Sequence, residues 1–233
     1  MSEEVISSSL KLWVPGNPAP FATRGEQPWR EALVSNLPQC PEGLHARGLV
    51  IDFYLADLAP LGHPLDVDNL CEPVFSILIN RKGWFSGRRP NLTWWRASKC
   101  QSSSTGCQIE VSSNDAASIG MPHGVKMFDA HYSGPLPVSA RDPCMSKQIR
   151  DKVGKQKTHS EGRYFIFLRF DNTKLNIGDI ATGKVKTTID SLYPVIGGVR
   201  GQPEDWRVNI LQVEKRSVGS SSAGVHISIW KLD

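Results

Sequence analysis

The sequence predicts an α/β (α+β) protein built of two like units in tandem, and three observations predict it. Short apolar runs of strand character alternate with runs whose apolar residues fall at helical spacing. Residues 112–126 lose that periodicity and gain turn formers. After this interval the order of elements repeats the order before it. The expected units are residues 10–111 and 127–233, joined by a linker over 112–126. Each is a small mixed sheet with flanking helices, and together they would form an intramolecular pseudo-dimer.

In chain order, Leu10 to Val14 alternates like a half-buried strand and ends in the rigid turn Pro15-Gly16-Asn17-Pro18-Ala19-Pro20. Pro28 to Leu37 carries Trp29, Leu33 and Leu37 at helical spacing. Leu49 to Leu55 is near-continuously apolar, which places it inside a sheet. A loop leads to Asp66-Val67-Asp68-Asn69, after which Leu70, Val74, Ile77 and Leu78 mark one buried helical face. Asn69 with Glu72 three residues on has the form of a capping box, and Pro73 would then fall in the first turn. Leu92 to Ala97 and Cys107 to Val111 are the remaining strands of this half.

The second half echoes the first. Tyr132 to Pro137 matches Val14 to Pro20, and Arg141 falls where Arg24 did. Tyr164 to Phe170 matches Leu49 to Leu55, and Val185, Ile189 and Leu192 match the helix at Val74 and Leu78. The nearest echo sets Ser102-Ser103-Ser104-Thr105-Gly106-Cys107 against Ser220-Ser221-Ser222-Ala223-Gly224-Val225.

With 233 residues and 39% apolar content the chain can bury a real core, which excludes a disordered protein. A net charge of +4 permits a polyanionic partner without demanding one. Met1 to Val5 lacks the start of a signal peptide and no window has the length of a membrane span, so a soluble, cytoplasmic protein is expected. The five cysteines are odd in number and lack a CxxC pair, and the histidines are scattered. Reduced, structural cysteines are the reading, rather than zinc ligands.

Two carboxylates one residue apart, beside an amide at the mouth of a helix, concentrate hard oxygen donors. Their natural partner is Mg²⁺, which takes one or two carboxylates and completes its shell with water and phosphate. The same tetrapeptide also suits a helix cap or turn with no metal role.

The order strand, Gly-x-Pro-x-Pro turn with a following Arg, helix, strand, Asp-x-Asp-Asn-Leu and helix is similar to the RusA-type Holliday junction resolvases, and the similarity covers both halves. The resemblance implies small Mg²⁺-dependent endonucleases that cut four-way DNA junctions as homodimers. Each half keeps a different part of the pattern. The first keeps Asp66, Asp68 and Asn69 but has Glu72 for the family Lys, Ser76 for the helix Asp, and Asn91-Leu92 near the acidic pair. The second keeps Lys186 with Asp190, and Glu204-Asp205 through Lys215, while its Asp-x-Asp-Asn has become Asn176-Ile177-Gly178-Asp179. The resemblance therefore assigns Asp66, Asp68, Lys186 and Asp205 to catalysis, and Asp66, Asp68, Glu204 and Asp205 to Mg²⁺.

Three functions follow. The first is a resolvase-like nuclease, acting on four-way or branched DNA in recombination or repair, whose site is completed across the two halves. The second is a DNA-binding module without cleavage, and the third a structural subunit working with other proteins of a nucleoprotein complex. The slight preference is for the first. The expected DNA contacts are Arg24 and Arg141, the run Arg81, Lys82, Arg88, Arg89 and Arg96, and the run Lys147, Arg150, Lys155 and Lys157. Trp84, Trp94 and Trp95 interleave with the first run as rings able to stack on bases. Neighbours on a strand face opposite ways, so one of Trp94 and Trp95 should be core and the other free.

Overall fold

The computed structural model describes residues 10–42, 46–62, 64–85, 92–114, 116, 120–121, 123–153, 162–171, 175, 178–216 and 223–233. The first half runs β1 (Leu10–Pro15), α1 (Glu26–Asn36), β2 (Gly48–Leu55), α2 (Val67–Asn80), β3 (Trp94–Gln101) and β4 (Gly106–Ser112). The second begins with β5 (Val125–Tyr132), α3 (Pro143–Val153) and β6 (Arg163–Asp171). A π-helical turn at Asp179–Gly183 enters α4 (Lys184–Asp190), followed by α5 (Tyr193–Ile196) and a hairpin of β7 (Gly198–Val199) with β8 (Gln202–Pro203). A 3-10 turn at Asp205–Arg207 leads into β9 (Val208–Arg216) and then β10 (Gly224–Leu232).

Apart from the hairpin, the strands form one eight-stranded mixed sheet in the order β1-β4-β2-β3-β9-β6-β10-β5. The two small sheets expected of separate units are thus joined edge to edge. The pairing reads alike from either edge. Edge strand β1 lies antiparallel to β4, which lies antiparallel to β2, which is parallel to β3. From the other side β5, β10, β6 and β9 repeat that sequence of senses. Parallel neighbours need a crossover, and α2 supplies it between β2 and β3. At the middle β3 meets β9 antiparallel, centred on the pair Arg96↔Gln212.

β2 is interior, as its apolar run requires. Leu49, Ile51, Phe53 and Leu55 point to the helix-covered face and are buried, while Val50, Asp52 and Tyr54 on the other face are partly exposed. In α2 the spacing does its work: Leu70, Val74, Ile77 and Leu78 are all at most 1% exposed. Phe75 meets the ring of Trp95 edge-on at 5.3 Å, which fixes the helix on the sheet centre.

The start of α2 differs from the capping-box expectation. The helix begins at Val67 with Asp66 in extended conformation at the N-cap, and no side chain caps it. Asn69 lies inside the first turn, where its Nδ2 donates to Asp66 Oδ2 at 2.8 Å. The earlier start moves Pro73 beyond the first turn, where it is buried.

The chain between β4 and β5 leans on the sheet's other face. Trp94 Nε1 donates to Asn114 O at 2.7 Å and Arg96 Nη1 to Gly120 O at 3.1 Å. Among the described residues no helix is long and apolar enough to cross a membrane.

Candidate functional site

The N-terminus of α2 points Asp66 and Asp68 toward the second half of the chain. There α4 carries Lys186 and, one turn later on the same face, Asp190, while the 3-10 turn before β9 delivers Asp205. Lys186 Nζ lies 2.6 Å from Asp205 Oδ2, 3.4 Å from Asp190 Oδ1 and 3.4 Å from Asp68 Oδ2. The contact to Asp68 crosses from one half to the other. Asp68 is 3% exposed, and its Oδ2 has this ion pair but no hydrogen-bond partner.

A second ammonium ties the site's backbone. Lys99, at the end of β3 and 4% exposed, donates to the carbonyl of Leu65, which precedes Asp66, and at 2.7 Å to that of Trp206, which follows Asp205. One buried side chain therefore fixes the chain beside both carboxylates. Neither Lys99 nor Asp190 was assigned to the site from the sequence. Asp190 had a signal, as the match to the family's helix Asp. Lys99 had one in its repeat partner Lys215, which donates to the carbonyl of Leu175.

The electrostatics are unbalanced toward the negative. Asp66, Asp68, Asp190 and Asp205, fully ionised, exceed Lys99 and Lys186 by two charges. Burial, then the charges of Asp205 and Asp68, push the Asp66 carboxyl up to about 7. Burial likewise raises Asp68, and raises Asp190 to about 6 against the pull of Lys186. Burial lowers Lys99 to about 8. For Lys186 burial works against the charge, but Asp68, Asp205 and Asp190 outweigh it and hold the group firmly protonated.

In charge and donor type this cluster suits a hard divalent cation, and the buried Asp68 oxygen without a hydrogen bond is the kind of acceptor such an ion would satisfy. Among the described residues, however, no three or more His, Cys, Asp and Glu side chains are arranged to hold a metal ion. The carboxylates are turned onto Lys186 instead.

Asp66 and Asn69 also line a cleft of about 550 Å³ whose other wall is the proline turn after β1, with Phe21, Thr23 and Arg24. Ala22 there adopts the left-handed φ of 59°, held by its N–H donating to Glu26 Oε2 at 2.7 Å. The turn places Arg24 across this cleft from Asp66.

Other assigned residues lie elsewhere. Glu204 is not brought to the cluster: its carboxylate pairs with Arg207 at 2.7 Å and packs against Gly197, because the 3-10 turn sends neighbouring side chains apart. Arg96 lies on the sheet face away from the helices, over the Phe165 ring at 6.0 Å. Arg150 is engaged with the ring and hydroxyl of Tyr193. Arg81, Arg141 and Lys147 are exposed and Lys82 is half-buried. Arg88, Arg89, Lys155 and Lys157 fall outside the described residues.

The tryptophan expectation is corrected. Trp84, Trp94 and Trp95 are all at most 2% exposed, and each indole N–H is used internally, by Pro38 O, Asn114 O and Ile180 O. Trp94 fails to emerge because glycine at position 48 leaves room for its ring and the chain near Asn114 covers it. None of the three is free to stack on a base.

No protein-family model matches the chain, and no curated protein matches it. A solved structure of cyanuric acid hydrolase is similar over 96% of this chain and 67% of its own, at 9% identity and a TM-score of 0.25, a likeness too slight to carry an argument.

Proposed function

We propose that the chain is a Mg²⁺-dependent, structure-specific endodeoxyribonuclease of RusA type, acting on four-way or branched DNA. In this reading its halves are RusA-like units forming an intramolecular pseudo-dimer, and the carboxylate–lysine cluster is one composite active site. The observation that carries it is the 3.4 Å approach of Lys186 from one half to Asp68 of the other, since neither half has the set alone. Asp66, Asp68 and Asp205 would hold Mg²⁺ once turned from Lys186, since they are not grouped around an ion as they stand; Glu204 pairs with Arg207 instead. Bound there, the ion would supply charge neutralisation at the phosphodiester and a more acidic water. Lys186 offsets charge that develops on the phosphate. Asp66, pushed up to about 7 by burial and its acidic neighbours, would give up its proton as Mg²⁺ binds. Arg24, across the cleft, pairs with a phosphate of the strand laid there.

A second reading, junction binding without cleavage, is favoured by the ion pairs that turn the carboxylates onto Lys186. A synthetic four-way junction and a matched linear duplex, each incubated with Mg²⁺ and with chelator, separate the two. Cleavage near the branch that requires Mg²⁺ is expected. Tight junction binding without cuts would leave the second reading, and neither binding nor cutting would end both and favour an assembly subunit.

A further inference from the structure

On the strength of the proposed nuclease reading, we infer that each chain makes a single incision, converting branched DNA to a nicked product rather than resolving it by paired cuts. The sheet register identifies where a second site would stand. β3 and β9 cross at Arg96↔Gln212, and the third residue beyond that pair on each strand is a lysine, Lys99 on one and Lys215 on the other. Each donates to the carbonyl of a leucine, Leu65 for Lys99 and Leu175 for Lys215. The scaffold is therefore built twice.

The chemistry is not. After Leu65 come Asp66, Val67 and Asp68, whereas after Leu175 come Asn176, Ile177 and Gly178. The positions in α2 that match Lys186 and Asp190 are Glu72 and Ser76. Ser76 Oγ accepts from Arg30 Nη2 at 3.2 Å, and Arg30 lies 3.4 Å from Glu26. Burial and then the charge of Glu26 raise the Glu72 carboxyl, the opposite of the ammonium that Lys186 contributes on the other side. Without the paired carboxylates and the bridging lysine, hydrolysis there should be slower by at least about 100-fold. What the second side keeps is the strand crossing and its lysine, which leaves it to hold DNA while the first side cuts.

The test is a supercoiled plasmid that extrudes a cruciform, incubated with the full chain and Mg²⁺ under single-turnover conditions. Two cuts within one binding event yield linear DNA, whereas one cut yields a nicked circle whose cruciform is reabsorbed. The expected result is nicked circle, with linear product at least about 100-fold less abundant at early times, the ratio set by the missing ligands. Linear DNA as the main early product would overturn this inference while leaving the nuclease reading standing. A plasmid bound but uncut would remove the nuclease reading, and the inference with it.

Discussion

Asp68→Asn is expected to lower Mg²⁺-dependent cleavage by about 100-fold or more while junction affinity holds or rises. Asp68 is 3% exposed and faces Lys186, so its carboxylate is felt almost unscreened by the other members of the cluster. The amide keeps the shape but removes a hard anionic donor and half of the cross-half ion pair, and losing one group of this kind commonly costs 10²–10³ in rate, about 3 kcal/mol. Removing the charge also relieves repulsion of an approaching phosphate, which is why binding should not fall. Rates from quantified cleavage gels and affinities from mobility shifts in chelator check both arms. A variant that cuts at the wild-type rate would place the chemistry elsewhere.

Lys186→Met is expected to cost about 3–5 kcal/mol of folding stability at neutral pH, the range for leaving buried charges without their partner. The side chains of Asp68, Asp190 and Asp205 are at most 9% exposed, so water cannot replace the ammonium that they share. A surface ion pair would be worth about 1 kcal/mol at most. The sign with pH follows from what the carboxylates do without it. The affinity of Asp68 and Asp190 for protons, already raised by burial, rises further, so acid neutralises them and the penalty shrinks. Urea unfolding at pH 5 and pH 8 should therefore show a larger loss at pH 8. A pH-independent loss below about 1 kcal/mol would make Lys186 an ordinary surface charge.

Much of the fold was legible because its signals are local. The apolar face Leu70, Val74, Ile77 and Leu78 is buried, and the near-continuous run Leu49 to Leu55 lies inside the sheet. The start of α2 was misplaced by three residues, since Asn69 and Asp66 are equally good cap residues and only the tertiary position of Asp66 decides between them. β5 lacks a clear alternation because its pairing with β10 shifts register between Phe128 and Lys126, which brings Lys126, Asp129 and His131 onto one face. Pairing of β3 with β9 was not legible, because no short turn joins these distant strands to fix their register. The same holds for Trp94, whose burial depends on Gly48 across the sheet and on chain near Asn114. At the candidate site, residue type pointed to Asp66 and Asp68 and the family resemblance to Lys186 and Asp205, while Lys99 had only its repeat partner Lys215 as a signal. Its role is visible only through the two backbone carbonyls that it joins.

The negative charge of the cluster is not met by its own lysines, and the titration of Asp66 reads that imbalance most directly. Its folded pKa lies above the ordinary 3.8. The favourable contribution of its retained proton is thus fully present below about pH 4 and is lost as pH rises through about 7. Carboxyl-selective NMR of the full chain, assigned with Asp66→Asn, should give a midpoint near 7 in chelator. Added Mg²⁺ should move it down toward the ordinary range. A midpoint near 3.8 that Mg²⁺ does not move would mean that the cluster is already balanced and has no place for a divalent ion.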